Sequence, residues 1–140
     1  MPEISLTSQI VKRLSARFGD CVLVYHSRFS IHERTEVWNQ VLDEKSNGKI
    51  FVGARSSILL PFKNLELIII DEEHENSYKQ FDPAPRYQAR DSAIYLAKIM
   101  KAKVILGSAT PSLETAENVR NGKYGWVKLT ERYGGVSLPN

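Results

Sequence analysis

The sequence predicts an α/β fold in which a mostly parallel sheet carries helices on both faces. One observation is that short, continuously apolar segments alternate with longer segments whose apolar residues recur at helical spacing. Another is that polar or small residues directly follow three of the apolar segments. In a parallel sheet such segments meet at the carboxyl edge, where ligands of α/β proteins bind.

The first predicted helix and strand lie at the start of the chain. Apolar residues recur at helical spacing from Ser5 to Phe18, and Gly19 supplies a stop. The apolar run Cys21–Tyr25 then predicts a strand that is covered on both faces.

A capping box opens the second predicted helix, because Ser30 and Glu33 have the required spacing. The residues predicted to line one face of this helix are Ile31, Thr35, Trp38, Val41 and Leu42. The segment Ser46–Gly48 ends the helix, and Lys49–Ala54 predicts the second strand.

A strand, a helix and a further strand are predicted next, over Leu65–Ile70, Ala89–Lys101 and Lys103–Gly107. The inward residues of that helix are predicted to be Ala93, Leu96, Ala97 and Met100.

The last predicted helix begins at Thr110, with Pro111 in its first turn, where a missing N–H costs nothing. Gly122 is predicted to end this helix, and Trp126–Leu129 predicts a final short strand.

Composition indicates one domain over residues 1–140, since the length and the 42% apolar content are ordinary for a globular protein. A net charge of +3 permits a nucleic-acid partner without requiring one. The single cysteine excludes an internal disulfide and favours a reducing, cytoplasmic setting. No apolar run has the length of a membrane span, so we expect no membrane partner.

Acidic residues follow the strand Leu65–Ile70 directly, and they suggest hydrolytic chemistry. An aspartate such as Asp71 can hold Mg²⁺ through water, and a glutamate such as Glu72 can take a proton from an attacking water. Phosphoanhydride hydrolysis needs both near the γ-phosphate. A lone Asp-Glu pair would more often be a solvated loop or a helix cap. The neighbouring His74 and the segment Gly107–Thr110 favour the catalytic interpretation.

Several motifs carry a family resemblance. "DEEH" after "LIII", followed by "GSATPS" (Gly107–Ser112), resembles motifs II and III of superfamily 2 helicases. The matching segments also include "PEISLT", "VLVYHS", "GARSSILLPFKNL" and "DEEHENSYKQFDPAPRYQARDSA". Together they resemble the PriA-type family of primosomal replication-restart DNA helicases, and the resemblance covers nearly the whole chain in order.

The resemblance implies that residues 1–140 are a partial N-terminal RecA-like motor lobe. The implied function is part of an ATP-dependent 3′-to-5′ DNA helicase that restarts stalled replication forks and assembles the primosome. The implied cofactors are ATP and Mg²⁺, with zinc in a further cysteine-rich module. The implied partners are single-stranded and forked DNA and other primosome and replication-restart proteins in the bacterial cytoplasm.

The resemblance also assigns catalytic roles to single residues. Asp71 is similar to the Walker-B aspartate that positions Mg²⁺, and Glu72 to the glutamate that polarises water. His74 lies where the family couples nucleotide state to the DNA path. Ser108 and Thr110 match motif III, which links hydrolysis to strand movement.

Two segments resemble the single-stranded DNA track of such helicases. One is Pro2–Thr7, which resembles motif Ia and contributes Ser5 and Thr7. The other is Gly53–Ser56, which resembles motif Ib and contributes Gly53, Arg55 and Ser56.

The segment Ser77–Arg90 mixes aromatic and basic residues, which stack on bases and hold phosphates without reading sequence. Pro83 and Pro85 argue for a shaped loop and against a helix. It resembles the aromatic-rich DNA-sensing loop of this family. The residues predicted to bind DNA here are Tyr78, Lys79, Phe81, Arg86 and Tyr87. Alternatively, the aromatic residues cover the core from outside, and Arg90 with Asp91 is an ordinary helix-start pair.

The sequence also departs from the family. No G-x-x-x-x-G-K-S/T phosphate loop occurs in it, and the second motor lobe, its arginine finger and the zinc module are not recognised. We therefore expect a piece of the first motor lobe that does not hydrolyse ATP by itself.

Two alternatives stay open. The chain could be a non-catalytic nucleic-acid-binding module whose acids serve structure. It could also be a metal-dependent hydrolase built from Asp71, Glu72, His74 and His26, which would need a tight metal site of its own.

Overall fold

The computed structural model describes residues 3–26 and 28–130, and of residues 3–7 only the backbone. Four α-helices and four strands lie within these ranges, which confirms the α/β class. The helices are α1 (Glu3–Phe18), α2 (Ile31–Leu42), α3 (Ala89–Met100) and α4 (Leu113–Arg120). The strands are β1 (Val22–Tyr25), β2 (Ile50–Gly53), β3 (Leu67–Ile70) and β4 (Lys103–Leu106).

All four strands pair in parallel, as the alternation with helices predicts. Strand β1 pairs with β2, with Val22 opposite Ile50. Strand β3 pairs with β4, with Leu67 opposite Lys103. In the part of the chain that the structure describes, these are two separate two-stranded sheets. Each pair brings two strand ends, and the segments that follow them, side by side.

The predicted local signals of the first two helices are present. Helix α1 ends at Phe18, directly before Gly19, whose φ of +59° favours glycine. Cys21, which was predicted to begin the first strand, lies in a short 3₁₀ helix instead. The capping box of α2 is confirmed, because Ser30 Oγ accepts a hydrogen bond from Glu33 N and Glu33 Oε2 accepts one from Ser30 N.

The apolar face predicted for α2 is not the side of the helix that is most buried. Val37, 8% exposed, is the buried residue of this helix, whereas Ile31 is 73% exposed and Trp38 is also exposed. Among the described elements α2 packs on β1. Apolar spacing identified the helix but not the side that the sheet covers.

Helix α3 covers one face of the β3–β4 sheet. Ala93 and Ala97 are its most buried residues, and their small side chains allow the helix to approach the strands closely. Alternate residues of a strand face opposite sides, so Ile70 is buried while Leu67 and Ile69 are exposed. Within the residues described, the face of this sheet that carries Leu67 and Ile69 is therefore exposed.

Two predictions near the end of the chain are also wrong. Ser112, not Thr110, caps α4, because its hydroxyl accepts the hydrogen bond from Thr115 N while Thr110 N donates to Ser108. Trp126–Leu129 forms no strand and is largely exposed. None of the helices within residues 3–26 and 28–130 has both the length and the apolar character of a membrane span.

Candidate functional site

The parallel pairing of β3 and β4 places the acidic turn, residues 71–74, beside the segment that begins at Gly107. Gly107 N donates to the carbonyl of Ile70 at 2.8 Å, and Glu73 N donates to the carbonyl of Gly107 at 3.0 Å. A side-chain carbon added at Gly107 would lie 3.7 Å from Asp71 Oδ1, so the aspartate carboxylate stands directly over this backbone. Asp71 and Gly107 therefore lie at neighbouring strand ends, as predicted.

His74 joins these two segments through its imidazole ring. Its Nδ1 lies 2.7 Å from Ser108 Oγ, and its Nε2 lies 3.4 Å from Thr110 Oγ1. The same Nδ1 is 3.5 Å from Glu72 Oε2. Thr110 N also donates to Ser108 Oγ at 3.0 Å. A displacement of Glu72 can therefore alter the positions of Ser108 and Thr110 through the side chain of His74.

Glu72 holds an unusual backbone conformation in this turn. Its φ of +48° lies in the left-handed region, which side chains other than glycine rarely adopt and which is found at functional sites. Its carbonyl accepts a hydrogen bond from Glu75 N, which closes the turn. Asp71 and Glu72 are thereby exposed at the sheet edge, where a ligand can reach both carboxylates.

Glu73 differs from the two acids before it, because its side chain is only 1% exposed. Burial opposes its charged form, but hydrogen bonds from Ser112 N, from Arg90 and from two hydroxyls outweigh burial and lower the pKa of Glu73. Sequence reasoning missed this residue, since three adjacent acids carry no signal of which one is buried. Arg90 does contact Asp91, at 2.9 Å, as the helix-start interpretation predicts, but it binds Glu73 as well.

The donor set of the turn fits Mg²⁺ carried by a nucleotide. Exposed carboxylate oxygens such as those of Asp71 are the hard ligands that Mg²⁺ takes, with phosphate oxygens and water completing the shell. Among the described residues no group of three or more His, Cys, Asp or Glu side chains could hold a metal by itself. His26 accepts a hydrogen bond from Arg28 N and its ring contacts Phe29. The metal-hydrolase alternative thus has no supporting cluster in the part of the chain described.

The aromatic loop, residues 78–87, begins and ends with tyrosines whose hydroxyl groups are bonded to or buried in the protein. Tyr78 OH donates to the carbonyl of Asp71 at 2.6 Å. The hydroxyl of Tyr87 is enclosed, and this burial raises the pKa of Tyr87. The geometry of Tyr78 and Tyr87 therefore fits the alternative in which the aromatic residues pack against the protein better than a role in binding DNA.

The remaining predicted loop residues face solvent. Phe81 is 63% exposed, and Lys79 Nζ lies 4.9 Å from the centre of its ring. Arg86 is also exposed. An exposed aromatic ring with a cation beside it is a combination that binds single-stranded nucleic acid.

Gln80 and Arg55 fix the shape of the aromatic loop. Gln80 Nε2 donates to the carbonyls of Pro83 and Pro85 at 2.8 and 3.0 Å. Arg55 Nη1 donates to the carbonyls of Ser77 and Lys79 at 3.0 and 3.3 Å. Arg55 was predicted to bind DNA, whereas the structure directs it to loop backbone. Sequence reasoning missed Gln80, which no motif singles out.

The other residues predicted to lie along the DNA track are found at the end of β2, in the 3₁₀ helix after it and on α1. A side-chain carbon at Gly53 would lie 2.5 Å from the carbonyl oxygen of Tyr25, so only glycine fits the end of β2. Ser56 lies in the 3₁₀ helix Arg55–Leu59 that follows. Ser5 and Thr7 lie on α1, and their side chains, like all of Pro2, are outside the described residues.

Comparison with known proteins identifies relatives over the whole chain. The family model of the DEAD/DEAH box helicases matches residues 1–119. The chain is 46% identical over 140 residues to the replication restart protein PriA of Rickettsia felis, covering 100% of the chain and 21% of the relative. It is 45% identical over 139 residues to the replication restart protein PriA of Bacillus subtilis, covering 99% of the chain and 17% of the relative. The chain thus spans about a fifth of the length of these curated relatives.

Proposed function

The chain belongs to the DEAD/DEAH box helicase family, and from this premise we propose that it forms part of the first motor lobe of an ATP-dependent DNA helicase of the PriA type. The observation that carries the proposal is the contact of His74 Nδ1 with Ser108 Oγ at 2.7 Å. This contact joins the acidic turn, residues 71–74, to the segment that begins at Gly107. A motor needs such a connection, and a simple binding module does not.

Hydrolysis requires that a water attack the γ-phosphate while the bond to the β-phosphate oxygen breaks. Glu72 is exposed beside Asp71, and its carboxylate is suited to take the proton of that water. Mg²⁺, when bound with the nucleotide, offsets phosphate charge, and the carboxylate of Asp71 is the group suited to hold it through water. The backbone strain at Glu72 supports a turn that is shaped for this task rather than for stability alone.

The state of the nucleotide is then communicated through His74. A change in the position of Glu72 alters its contact with His74 and, through the ring, the hydrogen bonds of Ser108 and Thr110. The aromatic loop supplies the other input, because Tyr78 is bonded to the carbonyl of Asp71 while Phe81 is free to stack on a base.

Within the whole protein we propose 3′-to-5′ unwinding of forked DNA, restart of stalled replication forks and assembly of the primosome in the bacterial cytoplasm. The similarity to replication restart proteins named PriA supports this proposal. ATP and Mg²⁺ are the cofactors of the lobe, and we place zinc in a module beyond residues 1–140.

The test uses full-length PriA carrying residues 1–140 of this chain. ATP hydrolysis is measured with and without single-stranded DNA, and unwinding is measured on duplexes with a single 3′ or 5′ tail. We expect DNA-stimulated hydrolysis and unwinding from the 3′ tail, both abolished by Glu72→Gln. DNA binding with no hydrolysis under any condition would favour the non-catalytic binding module.

A further inference from the structure

We propose that Glu73 is a positioning residue whose buried carboxylate carries the signal of bound DNA from the aromatic loop to the acidic turn. The inference rests on the proposed function, because it names how two parts of that site communicate. Glu73 touches neither nucleotide nor DNA in this proposal, and it acts through the residues that it holds.

The first argument is that both oxygens of the Glu73 carboxylate have polar partners. Its Oε1 accepts a hydrogen bond from Ser112 N at 2.7 Å. Its Oε2 lies 3.0 Å from Arg90 Nη1, and it also accepts hydrogen bonds from the hydroxyls of Ser112 and Thr115 at 3.0 Å each. A side chain that is 1% exposed therefore makes four polar contacts and has fixed geometry.

The second argument is that these contacts join three segments with different tasks. Glu73 belongs to the acidic turn, and Arg90 lies where the aromatic loop leads into α3. Ser112 and Thr115 open α4, directly after the segment that contacts His74. One carboxylate thus joins the exit of the loop to both segments of the candidate hydrolysis site.

The third argument is that both ends of the aromatic loop are tied to the same turn. Tyr78 at its entrance bonds to the carbonyl of Asp71, and Arg90 just beyond its exit bonds to the carboxylate of Glu73. A base that stacks on Phe81 pulls on a loop whose two ends converge on residues 71–73. A shift of Arg90 then displaces Glu73, and Glu73 is covalently joined to Glu72.

Stability alone does not require this charged pair. Side chains of Arg90 and Glu73 are 10% and 1% exposed, and replacing a buried ion pair with apolar residues of similar volume is often neutral or stabilising. An apolar pair would pack the three segments together but would not direct hydrogen bonds among them. The two roles can therefore be separated by experiment.

The test is the double variant Glu73→Leu/Arg90→Met in full-length PriA carrying these residues. Thermal unfolding reports the fold, and the ratio of DNA-stimulated to basal ATP hydrolysis reports the coupling. We expect the double variant to fold, with a lower unfolding temperature because Ser112 N and the hydroxyls of Ser112 and Thr115 lose their acceptor. We expect the ratio to be reduced by about 5- to 150-fold, the usual range of coupling between two sites. Glu75→Gln, which changes an exposed acid of the same segment, is the matched control and should leave the ratio unchanged.

An unchanged ratio in the folded double variant would overturn the inference and leave Glu73 a purely structural residue. If the double variant does not fold, Thr115→Val, which removes a single donor to Glu73, takes its place. The same ratio of DNA-stimulated to basal hydrolysis is measured, and a smaller reduction is expected. If the unsubstituted protein shows no DNA stimulation at all, the proposed function fails, and this inference fails with it.

Discussion

His74 Nδ1 and Ser108 Oγ lie 2.7 Å apart, although the two residues follow different strands of one sheet. The contact exists because β3 and β4 pair in parallel, so the segments that follow the two strands begin at the same edge of the sheet. Hydrogen bonding at this distance constrains both segments, since neither can shift without loss of the other's partner.

Ser108→Ala should weaken the link between hydrolysis and unwinding. The change removes the hydrogen bonds of the Ser108 hydroxyl with His74 and with Thr110 N. Loss of the His74 bond, worth about 0.5–1.5 kcal/mol, should reduce unwinding per ATP hydrolysed by about 2- to 12-fold. The measurement combines strand displacement with phosphate release in full-length PriA carrying these residues. Ser46→Ala, remote from the site, is the control, and equal behaviour of both variants would contradict the link.

Phe81→Ala should weaken binding of single-stranded DNA by about 1–3 kcal/mol, the usual contribution of one base stack. The prediction follows from the 63% exposure of Phe81 beside Lys79. Fluorescence anisotropy with an oligonucleotide measures the affinity. Tyr95→Ala removes an equally exposed aromatic residue from α3 and should change nothing.

Tyr78→Phe should behave differently from Phe81→Ala. It deletes only the hydroxyl that bonds to the carbonyl of Asp71. We expect DNA affinity to remain and the stimulation of hydrolysis by DNA to fall. A loss of affinity equal to that of Phe81→Ala would show instead that Tyr78 itself stacks on a base.

Arg55→Ala should loosen the aromatic loop, because two backbone carbonyls of this region lose their donor. We expect faster amide hydrogen exchange in residues 77–88, with Arg34→Ala as a control for the lost charge. If Arg55 instead contacted a DNA phosphate, Arg55→Ala would give a different result. The dependence of DNA affinity on salt would then fall by about one charge, while exchange stayed constant.

The stability of the chain should fall in acid partly through Glu73. The pKa of Glu73 is lowered from 4.5 in the folded protein, so its contribution is present above the unfolded pKa and is lost as pH falls through the folded value. Urea unfolding of wild type and Glu73→Gln between pH 7 and pH 3 measures it. The stability difference between the two proteins should shrink below pH 4.5, and a constant difference would contradict the prediction.

Residues 1–140 by themselves should neither bind nor hydrolyse ATP. No phosphate-loop pattern occurs in them, so the backbone donors and lysine that hold the β- and γ-phosphates are not supplied. Calorimetric titration with Mg·ATP and a phosphate-release assay check this, beside Glu72→Gln. Turnover that this substitution abolishes would show a complete hydrolytic site within these residues. Weak, salt-sensitive binding of single-stranded DNA through Lys79 and Arg86 is expected to remain.

Local signals in the sequence predicted most elements of the fold and the position of the candidate site. The capping box of Ser30 and Glu33 involves residues three apart, and it is present as predicted. The strands before Asp71 and Gly107 followed from apolar runs, and their parallel pairing followed from alternation with helices. The capping box and the apolar runs depend on hydrogen bonds and periodicity within one segment, which the sequence of that segment contains.

Only the tertiary structure decided which members of each pattern perform which task. Of three adjacent acids, Glu73 is buried because Arg90 and Ser112, distant in sequence, converge on it. Arg55 turns to loop carbonyls and Ser112 replaces Thr110 as a cap for the same kind of reason. Burial and hydrogen-bond partners depend on what a remote segment brings into contact, and spacing along the chain does not contain that information.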